Sequence, residues 1–216
     1  MNNIVVYTAI TKGYDQLKEP KISTGLDFVC FTEDDVESDT WKSHPIDLTH
    51  IKDPTRKARY LKLHPHLLFP DHKWSIWVDG SLSINGDLTA LQREVSESAK
   101  LGVYAHAKRN CIYQAAANCI DKSKDNPDLI SKQVQHYESL KYPPHNGLVS
   151  SGVLVRSHHD PQVIKLMNDW WKEIVNFSRR DQLSFNYICW QNHFNYYPIP
   201  QRIGDGRFFR RNPHNI

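Results

Sequence analysis

Cysteine is scarce in this chain. There are four in 216 residues, Cys30, Cys111, Cys119 and Cys189, and none forms a Cys-x-x-Cys pair. Most sit in apolar stretches, so they read as buried free thiols, which fits a reducing compartment. Long hydrophobic runs are also missing, and no stretch approaches the ~20 apolar residues that a membrane span needs. An excess of one charge is missing too. The 27 basic and 24 acidic residues leave a net charge of +3, too balanced to argue for a nucleic-acid partner. No Gly-x-Ser-x-Gly elbow, Gly-x-x-x-x-Gly-Lys phosphate loop or His-Glu-x-x-His helix is present. Those absences count against a serine hydrolase, a P-loop nucleotidase and a zinc hydrolase. The chain opens on Ile4-Val5-Val6-Tyr7 with no charged leader or cleavage site, so a cytoplasmic protein is expected. Contact with the inner face of a membrane stays open. No internal repeat or low-complexity tract stands out.

What is there is ordinary globular material, 39% hydrophobic and 24% charged. A chain of this length buries roughly 70% of its unfolded surface and needs no staple. Twelve histidines are unusual, and mild acid is expected to raise the net charge through them. Short β-rich runs at 3–10, 26–32, 74–79, 101–106 and 149–156 alternate with helix candidates at 54–68, 87–99, 111–120, 128–141, 161–176 and 180–191. This alternation predicts an α/β fold with a mostly parallel sheet and helices on both faces. The clearest helix starts at Asp160-Pro161, an N-cap followed by a first-turn proline. Val163, Leu166, Met167, Trp170, Trp171 and Ile174 then recur with helical spacing. Trp170 and Trp171 read as part of that core stripe rather than as a sugar platform. The histidines His64, His66 and His72, and the pair His158 and His159, read as surface or helix-end residues.

In an open α/β sheet, ligands bind beyond the carboxyl ends of the strands. The first strand leads into Thr8, Thr11, Lys12 and Tyr14, and the second into Thr32, Glu33, Asp34 and Asp35. The run Trp74–Val78 ends at Asp79-Gly80-Ser81. A carboxylate at the end of an apolar strand can hold a hard cation against a diphosphate. A turn aspartate bonded to its own backbone gives the same spacing. Arg56, Arg59 and Lys62 follow at three-residue steps on one helix, suited to phosphate or to a solvated face. Asp181, after Arg179-Arg180, is either a helix cap or a carboxylate facing a pocket as base or acceptor ligand.

Taken in order, these strings resemble one glycosyltransferase-like family. The resemblance is carried by Tyr7-Thr8-Ala9-Ile10 with Gly13-Tyr14-Asp15, and by Asp27-Phe28-Val29-Cys30-Phe31-Thr32. It continues through Arg56, Arg59 and Lys62 with His64-Pro65-His66, and through Ser75-Ile76-Trp77-Val78-Asp79-Gly80-Ser81. Trp170-Trp171 and Arg180-Asp181-Gln182-Leu183-Ser184-Phe185 complete it. The family holds the plant Golgi mucilage-related and turgor-regulation proteins and many bacterial polysaccharide-locus proteins. The resemblance covers roughly residues 3–200 and implies a GT-A-like transferase in a single domain, 1–216. It puts the nucleotide on 1–107 and the acceptor on 108–216.

It further implies a nucleotide-sugar donor, UDP-linked, and hexosyl transfer to a glycan or lipid-linked acceptor in surface polysaccharide synthesis. Thr8, Thr11, Tyr14, Asp34 and Asp35 would hold the nucleotide. Arg56, Arg59, Lys62, Gly80 and Ser81 would hold the diphosphate. Asp79 would carry the metal motif for manganese or magnesium, with Ser81 where a second aspartate is usual. His193, or else His214, would be a further metal ligand, and Asp181 would take the acceptor proton. Two other classes remain. One is a non-catalytic sugar or nucleotide binder, favoured by Ser81. The other is a lipid or glycan hydrolase, an activity described for one plant member, for which no motif is visible.

Overall fold

The computed structural model describes residues 3–22, 24–34 and 36–213. Nine strands and seven α-helices are formed among them. In chain order they begin with β1 (Ile4–Ile10), β2 (Asp27–Thr32), β3 (Lys42–Pro45), α1 (Pro54–Leu63) and α2 (Pro65–Leu68). Then come β4 (Trp74–Val78), β5 (Leu82–Ile84), α3 (Leu88–Ser96), β6 (Leu101–Ala105), α4 (Ile112–Asp121) and α5 (Pro127–Ser139). β7 (Val149–Arg156), α6 (Pro161–Asn176), a 3-10 turn at Asp181–Leu183, α7 (Phe185–Gln191), β8 (Tyr197–Ile199) and β9 (Phe209–Arg211) complete the chain.

The five expected strands and all six helix candidates form, with two helices divided. Pro65 has no N–H to continue α1, so 54–68 becomes two helices. Asp181–Leu183 winds as a 3-10 turn before α7. β3, β5, β8 and β9 are three or four residues long. The residues of β3 are all exposed, so no alternating pattern marks it.

The main sheet has the order β3-β2-β1-β4-β7-β6-β8. β1 pairs in parallel with β2 and β4, β2 with β3, and β6 with β8. β7 is the reversed strand, antiparallel to both β4 and β6. The sheet is mostly parallel, as expected, with one strand inverted at its centre. β5 and β9 form a separate two-stranded ribbon.

Alternate side chains of β1 enter two cores. Val5 and Tyr7 join the helical core of Ile112, Ile130, Met167 and Trp170, while Val6 and Ile10 join Leu88, Leu91, Val95 and Phe209 on the other face. Trp170 is fully buried, and Trp171 packs edge-on against Tyr60 and His64. Both therefore belong to the packing. All four cysteines are free and buried. No helix among the described residues is long and apolar enough to cross a membrane.

Of the histidines expected at the surface or at helix ends, His64 ends α1 and His66 lies in the last turn of α2, but two are not at the surface. His64 and His158 are buried, and the imidazoles of His158 and His159 both face the Phe69 carbonyl at 3.1 and 3.2 Å. Burial pushes His66 down to about 4 and His158 to about 3. These two stay neutral in mild acid and add nothing to the net charge there.

α3 lies so close on β6 that Gly102 has no room for a side chain. A Cβ built there would meet the two methyl carbons of Val95 at 2.5 and 2.9 Å. Gly102→Ala is expected to destabilise the fold by about 1–3 kcal/mol, with about 2–4 °C of melting temperature lost per kcal/mol. A variant that melts with the wild type would show that β6 and α3 are not in this contact.

Candidate active site

β1 sends its connection to β2 on one side and lies against β4 on the other, so the strand order changes direction between β1 and β4. Such a switch point leaves a crevice at the carboxyl ends of the strands. A cavity of about 530 Å³ opens there. One wall is the end of β1 with the loop to Asp15, together with the start of α1 at Pro54, Thr55, Ala58 and Arg59. The floor is Trp77 and the turn from Asp79 to Leu82. The facing wall is His106, Ser150 to Gly152, Arg180 to Gln182 and Arg211.

Local chemistry holds each part in place. Asp53 caps α1, accepting from the Arg56 N–H at 2.8 Å, and Pro54 fills the first turn. The helix then carries Arg59 to the cavity and Lys62 beneath it. At the end of β4, the indole N–H of Trp77 donates to Asp79 Oδ1 at 2.7 Å. The Asp79 N–H donates to the Gly152 carbonyl at 2.8 Å, tying the floor to β7. Two glycines permit this closeness. A Cβ on Gly80 would stand 2.9 Å from that of Asp15, and one on Gly152 would stand 3.2 Å from Asp79 Oδ2.

The electrostatic centre is four charged groups from three distant segments. Lys62 Nζ donates to Asp181 Oδ2 at 2.6 Å and lies 3.7 Å from Asp79 Oδ1. Arg59 Nε lies 3.2 Å from Asp181 Oδ2 without an aligned hydrogen bond, and its NH1 is 4.0 Å from Asp79. Ser151 Oγ donates to Asp181 Oδ2 at 3.1 Å, and the Gln182 N–H to Oδ1 at 3.0 Å. Lys62 is 0% exposed and the Asp181 side chain 4%, against 32% for Asp79.

Burial raises the Asp181 carboxyl, but Arg59, Lys62 and Arg180 outweigh it and hold the group well below the usual carboxylate range. Burial lowers the Lys62 ammonium, and Asp181 and Asp79 only partly offset that. One carboxylate faces three cations, so Asp181 stays ionised. Beneath the cluster, the Tyr7 hydroxyl and the Arg156 guanidinium both donate to the Lys62 carbonyl. Arg156 is fully buried and makes no ion pair among the described residues. It is held by Tyr7 Oη, Ser75 Oγ, Met167 Sδ and that carbonyl.

The structure brings most of the sequence-derived residues together. Thr11, Tyr14, Arg59, Asp79, Gly80, Ser81 and Asp181 line the cavity, and Lys62 lies directly under it. Others are elsewhere. Thr8 is buried within β1, its hydroxyl without a partner. Asp34 packs against the Gly13 turn and does not line the cavity. Arg56 is turned away, its guanidinium donating to the Ile174 and Phe177 carbonyls at the end of α6. Its expected diphosphate contact is therefore corrected to a helix-end contact. His193 lines a different cavity, with Ser98 to Lys100 and Gln162 near the start of β6. Asp35 and His214 lie outside the described residues. Sequence reasoning passed over Asp15, Ser151, Gln182, His106 and Arg211 as site residues. Asp15 was visible beside Gly13-Tyr14, whereas Arg211 reaches the site only because β9 pairs with β5.

Of the expected metal set, Asp79 and Ser81 share one turn of the cavity, whereas His193 lines a different one. Among the described residues, no three His, Cys, Asp or Glu side chains converge as ligands. Asp79 Oδ1 is already shared between an indole N–H and two cations. A divalent ion at Asp79 would have to complete its shell from substrate oxygens, since no third carboxylate or imidazole converges there among the described residues.

Asp181 is thus a buried counter-ion and not a helix cap, since its side chain accepts only from Gln182 within its own turn. Asp181→Asn leaves two cations without their partner and is expected to cost about 3–5 kcal/mol. A native carboxyl held below its unfolded value contributes stability that is full above the unfolded value and fades as pH falls toward the native one. The wild type should therefore lose stability on acidification below about pH 5, and the variant should show a flatter acid limb. Urea titrations from pH 3 to pH 7 measure both. Equal acid limbs would remove Asp181 from the ion pair.

Similarity to known proteins bears on the family and the fold. A family model described as "TOD1/MUCI70, glycosyltransferase-like domain" matches residues 1–197. The "Probable hexosyltransferase MUCI70" of Arabidopsis thaliana is 26% identical over an alignment 214 positions long, gaps included, that covers 86% of this chain and 37% of that protein. The chain thus spans little more than a third of the relative's length. Among solved structures, mouse xyloside xylosyltransferase 1 superposes with a TM-score of 0.55 at 12% identity, covering 91% of this chain and 84% of that one. The WbbM bifunctional glycosyltransferase gives 0.50 at 10% identity, covering 90% and 38%. These structures show that the fold is of the GT-A type, and the matching family model places this chain in the TOD1/MUCI70 glycosyltransferase-like family.

Proposed function

We propose that the chain is a glycosyltransferase that takes a hexose from a nucleotide-sugar donor. The observation that carries this reading is the ionic cluster of Arg59, Lys62, Asp79 and Asp181 at the base of the switch-point cavity. Family membership and the hexosyltransferase named as a relative support it. In this reading the nucleotide lies along Thr11 to Asp15, as the carboxyl end of β1 requires. The diphosphate lies against Arg59, whose Nε has no aligned partner in the cluster.

The acceptor hydroxyl oxygen bonds to C1 as the bond from C1 to the phosphate oxygen breaks; the electron pair leaves with the diphosphate, where negative charge develops, and the acceptor proton passes to that departing group or to solvent. Arg59, with Lys62 behind it, stabilises that charge without reorganising, because Asp181 and Ser151 already fix the cluster. Asp181 is then a positioning residue. A general base must be reachable and titrate near the working pH, and Asp181 is buried, saturated and strongly ionised. Asp79, the more open carboxylate, accepts hydrogen bonds from hydroxyls of the transferred sugar. In surface polysaccharide synthesis the acceptor would be a glycan or a lipid-linked glycan. A sugar or nucleotide binder without turnover is the second reading, favoured by Ser81 in place of a second carboxylate.

A panel of UDP-, GDP- and dTDP-sugars, read first by thermal shift and then by turnover, tests this. A nucleoside diphosphate that binds the native state raises its melting temperature. Arg59→Lys should weaken the nucleoside diphosphate about tenfold and leave the nucleoside unaffected, since lysine lacks the planar fork. Asp79→Asn should lower turnover about 100-fold through lost positioning. Turnover should survive a chelator, because the cluster supplies the positive charge. Equal weakening of nucleoside and nucleoside diphosphate would make Arg59 structural. Binding without turnover of any donor would favour the second reading.

A further inference from the structure

Four cations line the cavity, and they come from two parts of the chain. Lys12 follows β1 and Arg59 lies on α1, whereas Arg180 and Arg211 come from segments after β7. Arg59 is engaged with Asp181 and Asp79. Arg180 and Arg211 make no ion pair within 4 Å among the described residues, although Arg180 adds to the positive field on Asp181, and the buried Nε of Arg180 has no hydrogen-bond partner. Buried donors are nearly always satisfied, so an orphaned guanidinium N–H in a cavity wall points to an absent acceptor. Arg211 is held by its backbone. It pairs with Leu82 across β5 and β9, and the Asn212 N–H donates to the Ser81 carbonyl at 2.8 Å. Its side chain is thereby presented beside the Asp79–Ser81 turn.

The same side carries more positive charge. Lys108 and Arg109 follow His106, their N–H groups donating to its Nδ1 at 3.2 and 3.0 Å. Burial, and then Arg109, Arg211 and Lys108, hold the His106 imidazole below its ordinary value. The donor reading leaves Arg180 and Arg211 without a ligand, because it sets the diphosphate against Arg59.

We propose that Arg180 and Arg211 bind an anionic group on the acceptor, a carboxylate or phosphate carried near the hydroxyl that receives the sugar. Guanidinium groups suit both anions, because their forked N–H donors match two oxygens at once. This rests on the donor reading above. The acceptor class is then an acidic glycan, its charge supplied by uronate or by a sugar phosphate.

The test uses the full chain, saturated with the nucleoside diphosphate that binds best, and three probes measured by calorimetry. They are a uronic-acid oligosaccharide, the same oligosaccharide with its carboxyls reduced to alcohols, and a sugar linked to a short prenyl diphosphate. At least one anionic probe is expected to bind, and which one does so identifies the source of the charge. The reduced oligosaccharide should bind about tenfold more weakly than its parent, or not at all. Arg180→Gln with Arg211→Gln should weaken the anionic probe about tenfold or more while nucleoside diphosphate affinity holds. Binding of neither anionic probe would overturn the proposal, and so would a reduced oligosaccharide that binds as tightly as its parent. Parallel loss of nucleoside diphosphate in the double variant would assign the wall to the donor and also overturn it. A wild type that binds no nucleoside diphosphate would instead sink the donor reading, in a separate arm.

Discussion

The arrangement of the cavity depends on one buried ion pair, Lys62 with Asp181 at 2.6 Å. The partners are 119 residues apart and join α1 to the turn before α7. Neither group can leave its place without stranding the other. An isolated buried charge costs several kcal/mol, so the two segments are locked in register by electrostatics as well as by packing. Arg59 and Asp79 then complete a square of alternating charge whose fourth corner, Asp79, opens to solvent.

The frame around that pair is more positive than its ion pairs require. Arg59 and Lys62 pair with Asp79 and Asp181, while Arg156, fully buried below them, adds a positive charge with no counter-charge among the described residues. Arg156 has only neutral partners: a phenol, a serine hydroxyl, a thioether and a carbonyl. A surplus positive charge beneath a cavity is unfavourable in the empty molecule and favourable once an anion enters, because low dielectric strengthens attraction as it strengthens cost. Stability and ligand attraction are opposed here, and the fold retains the charge.

The inverted β7 gives the site its two-sided character. A fully parallel sheet presents only strand ends at the ligand crevice. Reversal brings the start of β7 there, with Ser151 on Asp181 and Gly152 on the backbone of Asp79. The later elements that follow β7 can then form a second wall facing the one built by β1 and α1. Two walls of different origin suit a reaction with two substrates, and each wall carries its own cations.

The strands and helices were legible in the sequence because they follow local rules. Apolar runs marked β1, β2, β4, β6 and β7, and Asp160-Pro161 with its stripe marked α6. Asp79 was legible for the same reason, as a carboxylate ending an apolar strand before glycine. The basic triplet was read only to its spacing. A helix sends residues three apart along neighbouring but distinct directions, and here Arg59 turns to the cavity, Lys62 beneath it and Arg56 to the end of α6. The Asp181 side chain depended on cations from another segment, which no local pattern encodes. Arg211 joined the site through strand pairing across more than a hundred residues. Local propensity determined which elements form. Long-range packing and the need to neutralise buried charge decided which side chains meet.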